Sequence, residues 1–99
     1  MRRIVFSGRS KFQLEQLLEY LEIRFSLSTR DKFISNFYKI IETIRLNPDT
    51  FPVSSRNKIR RCVISKQTTL YYKYNTQEVR LLSLFDTRQD PNKIKKDIK

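Results

Sequence analysis

Apolar residues recur along this chain with two different periods. Phe12, Leu14, Leu17, Leu18, Leu21 and Phe25 follow one another at mostly helical spacing, with Glu15, Glu19 and Glu22 on the other side. That pattern predicts an amphipathic helix. Ser10 is placed to cap it, Gln13 three residues on completes a capping box, and the helix should end near Phe25. Phe33, Ile34, Phe37, Ile40, Ile41 and Ile44 repeat the pattern in a second helix to about Leu46. Ser28 is its expected cap, Asp31 complements its dipole, and Asn47-Pro48-Asp49 stops it. A connection of two to four residues makes the two helices an antiparallel αα-hairpin. Both stripes read as core packing.

From Ile59 the period changes to two. Ile59 to Ser65, Thr68 to Tyr74 and Val79 to Asp86 read as strands, joined by Ser65-Lys66-Gln67 and Asn75-Thr76-Gln77. In the second of these, Leu70, Tyr72 and Tyr74 should face the core, leaving Tyr71 and Lys73 outside. In the third, strict alternation puts Val79, Leu81, Ser83 and Phe85 on one face. Arg3 to Ser7 is a short β-branched strand, and Gly8, the single glycine, suits a tight passage from strand to helix. The predicted class is α+β in the order β-α-α-β-β-β, a helical hairpin packed on an antiparallel sheet. A chain of 99 residues supports a single domain, with residues 87–99 as a basic C-terminal tail.

Composition excludes several chemistries. With no His and one Cys, the usual zinc sites and His-dependent triads are missing their residues. One Gly excludes a Gly-rich phosphate loop. No metal and no cofactor is expected. The apolar run after Arg2 and Arg3 is three residues, too short for a signal peptide, and no stretch approaches a membrane span. The expectation is a cytoplasmic protein that does not engage membranes. Cys62 lies among arginines, but no imidazole is present to act as base, so it reads as a buried structural thiol.

Charge adds the main functional hint. The formal net charge is +11, and residues 51–99 hold 12 of the 21 basic residues against 4 acidic ones. A field of that size attracts polyanions or acidic proteins. The basic run Arg56-Asn57-Lys58-Ile59-Arg60-Arg61, followed by Tyr71 and Lys73, places cations beside aromatic rings on one sheet. Such a face can bind phosphates and stack bases. Arg88, where the last strand runs out, and Lys93 beyond it extend the basic set. Asp86 is placed to hold Arg60, Arg61 or Arg88 in a bidentate pair. The candidate target-binding residues are therefore Arg56, Lys58, Arg60, Arg61, Tyr71, Lys73, Arg88 and Lys93.

The element order and several short motifs resemble the RelE/ParE superfamily, toxins of bacterial type II toxin–antitoxin operons. Ile4-Val5-Phe6-Ser7 with the following helix is similar to the family's start. Arg61-Cys62-Val63-Ile64 to Leu70-Tyr71-Tyr72 resembles its second and third strands, and Leu82 to Lys93, with Arg88-Gln89-Asp90-Pro91, its fourth strand and C-terminal signature. The resemblance covers nearly the whole chain. It implies growth inhibition, a role in plasmid stabilisation and an acidic cognate antitoxin that covers the helical groove and approaches the basic sheet. Two targets go with the family: ribosome-bound mRNA, which RelE-type members cut, and DNA gyrase, which ParE-type members poison. For cleavage the resemblance implies Arg60, Arg61 and Arg88 as the cationic set. Thr69 stands where the ribonucleases carry a third-strand cation, and no Tyr or His follows Arg88. Lys93, Lys95, Lys96 and Lys99 lie in the tail, where they should stay protonated. Cleavage needs a general base, so the resemblance favours gyrase inhibition.

Overall fold

The computed structural model of the protein describes residues 2–54 and 57–88. The order of elements is the expected one: β1 (Arg3–Phe6), α1 (Gly8–Arg24), α2 (Leu27–Leu46), β2 (Arg60–Val63), β3 (Thr68–Tyr74) and β4 (Glu78–Asp86). Both helices pack on one face of a four-stranded sheet with strand order β1-β4-β3-β2. β2, β3 and β4 form the expected antiparallel meander. β1 instead runs parallel to β4, so the sheet is mixed. A parallel partner requires a crossover before the chain can rejoin the sheet, and the helical hairpin is part of that crossover.

The helix starts differ from the expected caps. Ser7, not Ser10, caps α1: its hydroxyl accepts from Ser10 N–H at 3.0 Å. Ser10 lies inside the first turn and is buried. Ser26, not Ser28, caps α2, accepting from Thr29 N–H at 3.1 Å. In both cases a serine stood a few residues upstream, and the one preceding the first helical residue has the extended backbone a cap requires. Gly8 is not a steric necessity, since a Cβ there would meet nothing within 4 Å.

The core is the one the two periods predict. Leu17 and Leu21 of α1, and Phe33, Phe37, Ile41 and Ile44 of α2, are buried against Cys62, Leu70, Tyr72, Val79, Leu81 and Leu84 of the sheet. Ile4 and Phe6 of β1 pack against this cluster, with the rings of Phe6 and Phe37 6.4 Å apart. Ile34 is only half-buried, in the groove between the helices, and two predicted phenylalanines are outside the core. Phe12 is 62% exposed, because its position points away from the Leu17–Leu21 line, and Phe25 is 56% exposed, because the helix ends there.

The alternation of β4 breaks once. Tyr71 pairs with Ser83 and Tyr72 with Leu81, so Leu82 is an extra residue opposite no partner, a β-bulge. Past it the faces exchange. Leu84 and Asp86 turn to the core, and Phe85 turns outward at 41% exposure. The simple alternation had placed Phe85 with Val79 and Leu81. Helix α1 supports the bulge. The Ser7 hydroxyl donates to Leu82 C=O at 2.9 Å, and Gln13 Oε1 accepts from Leu84 N–H at 2.7 Å. Beyond Phe6 the ladder to β1 has ended, so these side chains replace the missing strand.

Replacing Gln13 with Ala leaves the Leu84 amide unpaired. The expected cost is about 1–3 kcal/mol, measured as a lowered urea midpoint with unchanged slope. Gln13→Glu, which keeps an acceptor, should lose less.

Candidate functional site: the outer sheet face

Both helices lie on one side, so the other side of the sheet faces outward. Cross-strand register orders its residues into rows. Val5, Arg80 and Lys73 form one row; Ser83, Tyr71 and Arg61 form the next; Phe85, Thr69 and Val63 form the third. Arg3 and Glu78 lie beyond the first row. Glu78 is the only acidic residue on these strands' outward positions, and it is ion-paired to Arg3 at 3.4 Å and Arg80 at 2.9 Å. Arg61, Lys73 and Arg3 are exposed, and Tyr71 is half-buried. Lys73 stands directly opposite Arg80, an arrangement of like charges that costs stability in a bare sheet.

A shallow depression of about 500 Å³ opens in the middle row, lined by Arg9, Ser54, Ile59, Arg61, Tyr71, Leu82 and Ser83. Arg9 comes from the first turn of α1 and Leu82 from the bulge. Ser54 and Ile59 come from the chain entering β2, where Val53 bridges Arg60 and Asn57 and Lys58 turn with left-handed φ of 65° and 60°. Lys58 is exposed at this turn. Arg56, Lys93, Lys95, Lys96 and Lys99 lie outside the described residues.

Two of the expected cations are elsewhere. Arg60 faces the helix-bearing side with Tyr72. Its Nη1 donates to Phe51 C=O at 2.7 Å and Asp49 C=O at 3.3 Å, and its guanidinium lies 5.4 Å from the Tyr74 ring. The Tyr72 hydroxyl donates to Pro48 C=O at 2.6 Å. These two side chains hold the loop after α2 against the sheet. Burial pushes the Tyr72 hydroxyl up to about 12, so it stays protonated.

Arg88 is also on the helix-bearing side. It pairs bidentately with Asp86, Nη2 to Oδ2 at 2.8 Å and Nε to Oδ1 at 3.1 Å, while its own amide donates to Oδ1 at 2.8 Å. The Thr68 hydroxyl donates to the same carboxylate. Of the three arginines offered for this carboxylate, Arg88 is the one it holds. Asp86 is 3% exposed. Burial alone would raise its pKa, yet the Arg88 and Thr68 hydrogen bonds and the Arg88 amide together hold it below the usual value. Thus Arg61 shares the outer face with Tyr71 and Lys73, while Arg60 and Arg88 act as structural clamps. Cys62 is buried, and burial pushes its thiol up to about 11, so it is no nucleophile.

Sequence reasoning did not find Arg9, Arg80 or Phe85. Arg80 was legible as an outward alternate, but the other two depend on the helix start and the bulge.

The sequence matches no protein-family model and no curated protein. Solved structures share the fold. A chain of the chromosomal ParDE TA system from P. aeruginosa superposes with a TM-score of 0.73 at 9% identity, covering 87% of this chain and 96% of that one. The E. coli DinJ-YafQ toxin-antitoxin complex contains a chain at TM-score 0.59 and 15% identity, covering 88% and 93%. A copper-bound mutant toxin from Helicobacter pylori gives 0.58 at 15% identity, covering 90% and 98%. The chain has the RelE/ParE-like fold.

Asp86→Asn should cost about 3 kcal/mol at neutral pH, since it removes one partner of a largely buried ion pair. The depressed pKa sets the pH dependence. The stabilisation is complete above about pH 4, the usual carboxylate value, and is lost as pH falls through the lowered folded value. Urea unfolding of both proteins should therefore show a gap that is widest near neutrality and narrows in strong acid.

Proposed function

We propose that this chain is the toxin of a type II toxin–antitoxin pair, a RelE/ParE superfamily member that inhibits DNA gyrase and is neutralised by a cognate antitoxin. The observation that carries the reading is the end-to-end match to a chain of the ParDE TA system, over 87% of this chain and 96% of that one. The side-chain arrangement favours target binding over RNA cleavage. A cationic catalytic set of Arg60, Arg61 and Arg88 would have to meet on one surface. Arg61 is on the outer face, whereas Arg60 and Arg88 are hydrogen-bonded on the helix-bearing side. Charge also bears on where an acidic antitoxin would dock. The groove between the helices is lined by Glu15, Glu19 and Glu22 around Leu18, Ile23 and Ile34, and its Arg30 is paired with Glu22 at 2.5 Å. An acidic antitoxin segment is repelled there and attracted to the outer sheet, which narrows the expectation that it would cover both. Among the described residues no helix is long and apolar enough to cross a membrane, and action in the cytoplasm is part of the proposal.

Inducing the chain alone should arrest growth, and co-expressing an adjacent antitoxin gene should restore it. Purified gyrase should lose supercoiling activity while mapped mRNA ends show no A-site cuts. Codon-linked cuts with normal supercoiling would reverse the assignment of target. Arg61→Ala should reduce toxicity at least tenfold while its unfolding free energy changes by less than about 1 kcal/mol. Arg88→Ala should lower toxicity only through lost stability, visible as a lower melting temperature.

A further inference from the structure

The groove between the helices combines an apolar floor with an acidic rim. Leu18, Ile23 and Ile34 lie among Glu15, Glu19 and Glu22, around a space of about 400 Å³. Ile23 is 72% exposed, a large aliphatic side chain left in water. Glu15 and Glu19 stand four residues apart on α1, an arrangement of like charges that weakens a helix. Neither makes an ion pair among the described residues. Arg30, the cation lining the groove, is already held by Glu22 at 2.5 Å and Asp31 at 3.3 Å. A segment that covered Ile23 and brought cations to Glu15 and Glu19 would relieve both costs.

The chain itself contains such a segment. Residues 89–99 follow Arg88 and lie outside the described residues. They include Lys93, Lys95, Lys96 and Lys99, with Ile94 and Ile98 at a spacing that puts both on one side of a helix. Asp90 followed by Pro91 is a helix-start pair, a capping carboxylate before a residue suited to the first helical position. The fold delivers this segment to the helix-bearing side. Ser7 bonds Leu82 and Gln13 bonds Leu84, so α1 and β4 run in the same direction. The chain then leaves β4 at Arg88, clamped by Asp86 on the helix-bearing side. A helix is about 10–12 Å across, and a segment of this length spans up to about 36 Å when extended. Residues 89–99 therefore have the reach to pass around α1.

We propose that residues 89–99 fold back over α1 and dock in this groove, with Ile94 and Ile98 on Leu18, Ile23 and Ile34 and the lysines against Glu15 and Glu19. Short helices are marginal alone in water, so the segment becomes helical as it docks. Charge disfavours a second copy as the occupant, because two chains of net +11 repel each other. A segment of the same chain carries the complementary charge without that repulsion and without lost translational freedom. The docked segment covers the groove and leaves the outer sheet face open, so a partner of the helices has to displace it. The inference does not rest on the toxin reading.

The test places a nitroxide at Lys99→Cys of the isotope-labelled full chain and records its amide NMR spectrum. Cys62 is fully buried and does not compete for the label. Amide signals of Glu19, Glu22, Ile23 and Ile34 should lose more than half of their intensity, while those of Arg61, Tyr71 and Lys73 keep theirs. Ile98→Asp should restore the signals, and Ile98→Leu should not. Glu15→Lys combined with Glu19→Lys should restore most of the intensity, as should 1 M salt, which shortens electrostatic screening to about 3 Å. None of these side chains belongs to the core, and circular dichroism melts verify that the variants stay folded. A mixture of isotope-labelled chain without nitroxide and unlabelled chain with it should show no loss. Loss in that mixture would assign the groove to a second copy and overturn the proposal. Losses centred on the outer sheet face, or confined to Gln67 and Arg88 where the segment leaves the sheet, would overturn it too. No readout involves growth or supercoiling, so a harmless chain with a docked segment refutes the toxin reading alone.

Discussion

One extra residue in β4 organises both sides of this molecule. Were Leu82 paired as a regular strand residue, β4 would alternate strictly and the residues after it would face the other way. Leu84 and Asp86 would then point outward and Phe85 inward. The bulge allows Val79 and Leu81 before it and Leu84 and Asp86 after it all to face the helices. It also ejects Phe85 onto the open face. A bulge of this kind interrupts the ladder, and the structure answers with two polar side chains from α1. Ser7 bonds the Leu82 carbonyl while capping the helix, and Gln13 bonds the Leu84 amide. Helix start, strand end and face assignment are thus one coupled arrangement.

The coupling extends to the buried charge. Asp86 reaches the core side only because the phase has shifted, and there it meets the Thr68 hydroxyl and the Arg88 guanidinium. An unpaired carboxylate at 3% exposure would be expensive. Arg88 is therefore needed where it is, and its sequence position at the end of the last strand follows from this local demand. Arg60 has a similar fate at the other end of the meander. Opposite Tyr72 in register, it faces inward and serves the carbonyls of the loop after α2. Charge run and charge function separate here: adjacent Arg60 and Arg61 point to opposite faces because a strand has a period of two.

That separation explains what was legible in the sequence. Element order, the two helical stripes, the meander and the inward Tyr72 follow from periodicity, because burial of apolar faces enforces it. The caps were displaced by two or three residues, since serines stand at several candidate positions and only backbone conformation chooses between them. The parallel placement of β1 leaves no local signal, because strand direction is set by the crossover and not by residue type. The bulge was invisible for a related reason. Leu81-Leu82-Ser83-Leu84 has apolar residues on both phases, so a shift of one residue costs no hydrophobicity in the pattern. Only contacts with Ser7 and Gln13, far away in sequence, decide where the phase changes.

The outer sheet face inherits these decisions. The basic half of the chain predicted a cationic sheet, and one outward row does place Arg61 beside Tyr71. The charge itself is unspecific, since any polyanion answers a net +11. Geometry supplies the discrimination. Acid is collected in the helical groove as Glu15, Glu19 and Glu22, while the sheet face keeps a single carboxylate, already shared between Arg3 and Arg80. The molecule therefore presents an acid-lined groove between its helices and a cationic face on the other side of the sheet. A partner that wraps it must change sign as it passes from the helices to the sheet, with basic residues over the groove and acidic ones over Arg61 and Lys73. Uniform negative charge would suit the sheet face and not the groove, so for a chain that covers both, the order of charges matters as well as their sum.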